Sequence, residues 1–576
     1  VKKKLLKSKD ADQLRLIAGI CREVLGEFDT SLELYRRVLK IQKKSLGRDH
    51  EDVAATYKSL GLVLGAKGET DASLENLKKA IKIQETLLGA DHLKVAGTRA
   101  EIGQMMIKRG NFSGALDEFR KSQKIRSAKL GKDHFLVINS LQDIALVLRE
   151  LGEYKNSEAE LRKALEIQES VLGDVHNDVA TTHAMIGTTL CRYGDFSKAM
   201  ESHRLALQIR ETNLGKNHPT TAESHTDVGV VLCEKGDFDP AEWRHKKALT
   251  ICENVLGKED EKCADSLVQL GHVLSLKGKF DDAITEIKRA QKIRENNLGT
   301  NNTVTAASYI ALGNVYFEKN DYDNAMEEFQ KAKKVRESIL GPNHPDTALT
   351  YNCLGNALNR KGEFEEALEE HKKAMAIYEE ALGKNHPTTA TGYQCIGDAL
   401  MSKGDREEAL IEHRKALATR ANALAKDHPD NSVSCARIGS IFYAKGDLVG
   451  ASVAYRQALA ITVSLCGEQH PNSAKAHIQF GKVLAAQGDY DEALEEVEQA
   501  TNIIAASLGE DHAQTGLAYS VLGSIYGMSG NHDEAETFHH KAVTIIESNF
   551  GKKSVESVAA RKKLMLAENE EAPTEF

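Results

Sequence analysis

Leu46-Gly47-Arg48-Asp49-His50 returns as Leu88-Gly89-Ala90-Asp91-His92 and again as Leu130-Gly131-Lys132-Asp133-His134. The glycine recurs at Gly173, Gly215, Gly257, Gly299, Gly341, Gly383, Gly467, Gly509 and Gly551, with Ala425 in the remaining place, so the period is 42 residues without insertion or deletion. A fixed period of this size marks a chain made by stacking one small unit many times. Each unit carries two amphipathic segments. Between Gly362 and Gly383, Phe364, Ala367, Leu368, His371, Ala374 and Met375 recur at steps of three and four. Glu365, Glu366, Glu369, Glu370, Lys372 and Lys373 take the opposite side, which predicts a helix with one apolar face. The preceding segment, Thr347 to Arg360, has a similar stripe in Ala348, Tyr351, Leu354, Gly355 and Leu358, and Lys361-Gly362-Glu363 ends it. Pro387 after His386 suits a first helical turn, where a missing N–H costs nothing. No segment calls for a strand.

Small residues mark where helices touch. The first segment repeats Leu60-Gly61, Ile102-Gly103, Leu270-Gly271, Leu312-Gly313, Leu354-Gly355 and Leu522-Gly523, with Ala145 as an interior exception. The second repeats Ala283 with Ala290, Ala325 with Ala332, Ala367 with Ala374 and Ala409 with Ala416. Such positions let two backbones approach, so each helical hairpin can nest on the next.

The unit Gly383-Lys-Asn-His-Pro387-Thr-Thr-Ala390, with Gly397, Lys403-Gly404-Asp405, Glu408-Ala409-Leu410 and Lys415-Ala416-Leu417, resembles the tetratricopeptide repeat (TPR) in the 42-residue form of kinesin light chains and nephrocystin-like proteins. The resemblance covers about residues 11 to 565. It implies an all-α fold, a right-handed solenoid or superhelix of about thirteen hairpins with a C-terminal capping helix, the first helices lining the concave wall. The expected organisation is a basic, frayed start over 1–10, a continuous solenoid over 11–553, a cap over 554–567 and an acidic disordered tail over 568–576. Val1 is not an initiator Met, which suggests a processed or incomplete chain with an upstream segment.

Composition narrows the functional classes. Asp and Glu number 85 against 76 Lys and Arg, for a net charge of −9, and the mixture gives no concentrated basic patch of the kind that recognises phosphates. No nucleic-acid partner is expected. No apolar run reaches about 18 residues, so no membrane insertion is expected either. The nine Cys contain no Cys-x-x-Cys pair, which fits a reducing, cytoplasmic setting, with cytoskeletal association as one option.

Two histidine columns invite a metal reading. The first is His50, His92, His134, His176, His218, His344, His386, His428, His470 and His512, and the second is His203, His245, His371, His413 and His539. Neighbouring helices lie about 8–10 Å apart, whereas Zn–N bonds are about 2 Å, so equivalent histidines of adjacent units cannot share an ion. Capping and packing are the expected roles, and no metal or cofactor is expected. The cluster His532, His539 and His540 has no Cys or carboxylate pattern to complete it. Cys191 with Cys233, and Cys353 with Cys395, read as buried small residues rather than redox pairs. Phosphate-loop, nucleophile-elbow and zinc-protease motifs are absent, so no enzyme is expected.

The remaining candidate is the concave wall. Asn352, Asn356 and Asn359 are spaced four and three apart, and one period away stand Asn314, Gln394 and Asp398, with Phe317 and Met401 beside them. Carboxamides both donate and accept, which suits the backbone of an extended peptide. In kinesin light chains an Asn ladder on this wall supports cargo-peptide binding, and the resemblance implies a similar use. The column departs from that ladder elsewhere, reading Lys58, Ala100, Gln142, Ala184, Thr226, Val268 and Ile310 before Asn352. Lys58 faces Leu62, which does not match a clamp for acidic C-termini. The reading is therefore a non-catalytic interaction scaffold or adaptor that holds an extended segment of a partner protein. The alternative is a structural subunit or spacer of a large assembly, gripped through its outer surface and ends.

Overall fold

The computed structural model describes residues 10–23 and 27–569. The basic start falls on residues 1–9 and most of the acidic tail on 570–576, and both expectations lie outside the described residues. Among the described residues every regular element is a helix and none is a strand. The helices pair into thirteen hairpins, from Ala11–Glu23 with Phe28–Ser45 to Ala513–Met528 with His532–Phe550, and Val555–Glu568 follows as the capping helix. Residues Val1–Ile186 with Ile339–Pro345 form one compact unit, and Gly187–Ser338 with Asp346–Phe576 form a second.

The breaks between helices have simple causes. Gly383 ends the second helix of its hairpin at φ 89°, a conformation that L side chains rarely adopt. Where other hairpins place a glycine between their two helices, Asn320 takes φ 64°, and its side-chain oxygen accepts from the Tyr322 hydroxyl at 2.6 Å. The next helix then starts on the linker histidine. Nδ1 of His50, His92, His134, His176, His218, His386, His428, His470 and His512 each accepts the backbone N–H two residues on, at 2.9–3.2 Å. Asp260 and Asn302 do the same with a side-chain oxygen. The column is a row of helix caps, as its spacing suggested.

Inside most hairpins, a ring or branched side chain of the second helix sits on the glycine of the first, with Ala145 taking that place in one of them. A Cβ on Gly313 would come 2.4 Å from Phe329, and one on Gly355 would come 2.5 Å from His371. His203 on Gly187, His245 on Gly229, His413 on Gly397 and His539 on Gly523 repeat the contact, while Leu77, Ile287 and Val497 fill the same socket on Gly61, Gly271 and Gly481. The second histidine column is therefore core packing. Burial in these sockets holds the five imidazoles down at a pKa of about 4.

Within the second unit, the linkers make another contact, 234 residues along the chain. The rings of His428, His470 and His512 lie against Gly194, Gly236 and Gly278, where a Cβ would come within 2.2–2.8 Å. Asn320 Nδ2 donates to Glu556 at 3.2 Å in the equivalent place. The linker histidine thus caps its own helix with one edge and packs on a distant hairpin turn with the other.

Candidate peptide-binding face

The first helix of each hairpin buries one side against its partner and leaves the other open. In Pro345–Lys361 the buried residues are Thr347, Ala348, Thr350, Tyr351, Asn352, Leu354, Gly355 and Ala357. Leu349 and Arg360 are exposed, and Cys353 and Asn356 are half-buried between them. The open strip therefore runs through 349, 353, 356 and 360, about one residue around from the expected one.

Asn352 marks this correction. It is only 4% exposed, and its Oδ1 lies 3.0 Å from Nδ1 of His371 on the second helix of the same hairpin. The pairing sets which ring nitrogen carries the proton, and it engages the Asn352 oxygen inside the hairpin. Gln394 is also engaged, its Oε1 accepting from the Arg420 guanidinium at 2.7 Å. Asp398 stands 3.2 Å from Arg437 and 3.5 Å from His413, and burial raises its carboxyl above the usual range against the pull of Arg437 and Arg420. Met401 packs with Ala409, Leu410 and Ile438, and Phe317 packs edge-on to Tyr322 with ring centroids 5.6 Å apart. These two side chains belong to the apolar layer rather than to the open strip.

Asn314, Asn356 and Asn359 remain. Asn314 is exposed, Asn356 and Asn359 are half-buried, and Oδ1 of Asn359 is buried without a hydrogen-bond partner. The structure thus presents Asn314 and Asn356 on the open strip, turns the oxygen of Asn359 inward beside it, and commits Asn352, Gln394 and Asp398 to contacts within the protein.

The open strip also carries a charge pattern that sequence reasoning missed. In the first unit it holds Glu101, Asp143 and Glu150 with Lys108, and in the second Asp227, Glu234 and Glu318 with Arg192 and Arg360, followed by Arg437, Lys475, Lys482 and Lys563. Burial drives Asp143 and Asp227 up to a pKa of about 6, even though Arg126 and Arg210 respectively pull the other way. It also pushes Lys482 down to about 8, helped by the nearby charge of Lys563. In the second unit the strip mixes both signs as far as Asp398 and carries only cations from Arg437 onward. The signal was present in the 42-residue columns once the register was shifted by one.

The cysteines Cys191, Cys233, Cys353 and Cys395 are free thiols, and burial raises all four well above the usual thiol range. His540 has two carboxylates beside it, Glu536 at 3.6 Å and Glu568 at 3.9 Å, which the sequence reading had not placed there. All three side chains are exposed. The helix Leu448–Cys466 is long and apolar enough, by length and composition, to cross a bilayer over Leu448–Leu465, contrary to the expectation that no run qualifies. It is the second helix of its hairpin, carries Arg456, and packs Tyr455 on Gly439.

The tetratricopeptide repeat model matches residues 13–86, 93–170, 136–212, 178–254, 262–338, 304–380, 346–422, 432–504 and 472–548. The chain belongs to the tetratricopeptide repeat family. Among solved structures it is similar to BtubC (BKLC) of P. vanneervenii, at 20% identity over 41% of this chain and 92% of that one, with a TM-score of 0.32. It is similar to the APC/C hetero-tetramer Cut9-Hcn1 at 14% identity over 98% of each chain, with a TM-score of 0.43. A third is a set of nearly identical TPR-like repeats from a Podosopora anserina protein described as a kinesin light chain, at 21% identity over 36% of this chain and 98% of that one, with a TM-score of 0.30. No curated protein matches the chain. As a tetratricopeptide repeat protein, the chain is a scaffold for protein–protein interaction or a subunit of an assembly.

Proposed function

We propose that this scaffold is a non-catalytic adaptor that holds an extended segment of a partner protein along the open strip of its first helices, in the cytoplasm. The observation that carries the reading is the pair Asn314 and Asn356, one period apart on the open strip, the first exposed and the second half-buried. A backbone N–H or C=O of a bound segment can exchange water for these carboxamides, each such bond contributing about 0.5–1.5 kcal/mol. Half-buried carboxamides can pair with any peptide backbone, so they supply affinity while neighbouring side chains select the partner.

A second reading has its own support. Trp243 is 55% exposed with the guanidinium of Arg244 5.0 Å from its ring, and Val449 and Val453 are 72% and 65% exposed, all three on second helices. Aromatic and branched side chains held in solvent are what a structural subunit presents to its assembly.

A photo-crosslinking residue at position 356, compared with one at Lys372 and one at Val453, separates the two readings. The adaptor reading expects one partner captured at 356 through a short segment, and its loss in the Asn356→Ala, Asn359→Ala variant with an unchanged melting curve. Capture at 453 and none at 356 would move the function to the outer helices.

A further inference from the structure

Three side chains with metal-ligating atoms meet where the last hairpin joins the capping helix. Glu536 and His540 stand four residues apart on His532–Phe550, which puts them on one face. Glu568 ends Val555–Glu568 and comes to the same imidazole from that next helix. Nε2 of His540 lies 3.6 Å from Glu536 and 3.9 Å from Glu568, and one ligand atom from each residue lies within 4.8 Å of the others. Of the histidine cluster noted in the sequence, His540 alone belongs to this group, because His539 fills the socket on Gly523.

The repeat shows that this chemistry is a departure. In the 42-residue column of Glu568 every earlier residue is Leu, Met, Phe or Tyr, ending in Leu484 and Tyr526. The column of His540 is mostly Lys or Arg, and that of Glu536 mostly Leu, Met or Ile. Glu158 and Glu242, the other two glutamates of the Glu536 column, each pair with a cation four residues on, Arg162 at 2.7 Å and Lys246 at 2.5 Å. At the last junction the three positions change together, into two carboxylates and an imidazole.

This arrangement lacks positive charge. Two carboxylates so close repel, and an imidazole supplies one positive charge at most. No Lys or Arg lies within 4 Å of either carboxylate among the described residues. Glu568 also sits at the negative end of the capping helix, whose last turn has no basic residue. A divalent cation answers each conflict, neutralising both carboxylates and taking the lone pair of the ring. Imidazole suits zinc, whereas calcium and magnesium prefer oxygen ligands. Zinc bonds of about 2.0–2.2 Å place tetrahedral ligand atoms roughly 3.3 Å apart, so rotations of three exposed side chains close gaps of at most about 1.5 Å and leave a fourth position for water.

We propose that Glu536, His540 and Glu568 form a zinc site that clips the capping helix to the last hairpin. Undocking the cap removes Glu568 from the other two ligands, so zinc favours the docked state. It thereby controls exposure of the apolar face that the cap covers, where Ala542 and Ile546 meet Ala560. The inference stands apart from the adaptor reading.

The test uses the full chain without a histidine tag, freed of metal by a chelator and titrated with zinc chloride against a chromophoric indicator. His540→Ala, Glu536→Gln and Glu568→Gln are each expected to weaken one site at least tenfold, while their metal-free forms melt like the parent. Calcium and magnesium at equal concentration are expected to leave that site occupied. Amide exchange over 555–568 reads the clip. At zinc 100 times its dissociation constant, cap opening in the parent should become about a hundredfold rarer, with no change over 51–88. His540→Lys, which restores the cation usual in that column, should keep the cap docked without zinc and abolish the zinc response. Equal zinc affinity in parent and variants overturns the proposal, since the ion would then sit on other surface histidines. Zinc binding with no slowing in the cap overturns the clip. Displacement by equal calcium would assign the ion to carboxylates alone and overturn the role of His540.

Discussion

The hairpins are joined differently in two regions of the molecule. From Gln42 to Ser434 most junctions carry a buried polar clasp, in which a residue near the end of a second helix bonds a hydroxyl 14 residues on. Gln42 takes Thr56 at 2.7 Å, Gln84 takes Thr98, Gln168 takes Thr182, and Arg126, Arg210, Arg294 and Arg420 each take a serine, with Arg336 on Thr350. In the last repeats the same positions are apolar: Ile504 with Ala518 and Ile546 with Ala560. Tyr378, opposite Gly392, is a lone apolar junction inside the clasped region. Both solutions fill the same space, so close packing alone does not require the guanidinium groups. A buried clasp adds direction, since a misplaced Arg strands its donors and a misplaced Gln its acceptor oxygen. Repeats that look alike could otherwise stack out of register, and the clasps penalise that error where the hairpins are most similar.

Transplanting the clasp is the most severe way to break this comparison. Ile546→Arg puts an unpaired cation into a socket lined by Ala542 and Ala560, and should cost on the order of 4 kcal/mol at that junction. Adding Ala560→Ser should return about 1 kcal/mol by supplying the missing acceptor. Hydrogen exchange over 532–568 reads the effect, and no recovery in the double variant would show that the clasp depends on more than its two partners. The reverse exchange is milder. Arg336→Ile leaves the Asp346 carbonyl and the Thr350 hydroxyl without their 2.7 and 3.0 Å bonds and should cost about 2 kcal/mol. Thr350→Ala added to it should recover about half, measured by urea unfolding of the intact chain.

Acid sharpens the comparison at the level of single hairpins. His203, His245, His371, His413 and His539 have folded pKa values of about 4 against an ordinary 6.5, so the unfolded chain binds protons first as pH falls. Their stabilisation is complete above about pH 6.5 and is lost between there and pH 4, at up to about 2 kcal/mol per ring by pH 5. Asp143 and Asp227 oppose this, because a carboxyl raised to about 6 gains stability when protonated, but they are fewer. Exchange at pH 5 should therefore open the hairpins whose socket holds a histidine before those that hold Leu77, Phe119 or Phe329, while the Val497 hairpin, capped by His470 that burial also holds down at about 4, joins the sensitive set. Uniform opening would mean that the imidazoles are not the acid-sensitive element.

The fold was legible because one period governs the whole chain, and the glycine, alanine and histidine columns each mark a physical task. The candidate strip was legible only in part. Gly355 was read as a close contact between helices, and Asn352, three residues before it, shares that face; the side chain had to point at the partner helix. The spacing of four and three that linked Asn352, Asn356 and Asn359 is helical but does not say which side is open. The clasp was missed for a different reason. It joins residues 14 apart on successive helices, and each partner alone, such as Ser308 or Arg294, looks like an ordinary polar residue of an exposed surface. The cluster of Glu536, His540 and Glu568 was missed because Glu568 reaches the other two only from the following helix.

The exposed rungs follow the same division and should matter least. A cation at the end of a first helix reaches back 38 residues to a carboxylate in Lys277 with Asp239, Lys319 with Asp281, Lys403 with Glu365 and Lys445 with Glu407; the next position is Gln487, whose amide instead approaches the Leu448 carbonyl at 3.5 Å. The polar rung ends where the clasps end. Lys445→Ala should nonetheless cost no more than about 0.5 kcal/mol, because Glu407 is 71% exposed and water screens the pair. That cost should vanish in about 1 M salt, where the screening length falls to roughly 3 Å, while the cost of Arg336→Ile should persist. If the two losses respond alike to salt, the buried clasp is electrostatic in the same sense as the surface rung, and the directional role argued for it fails.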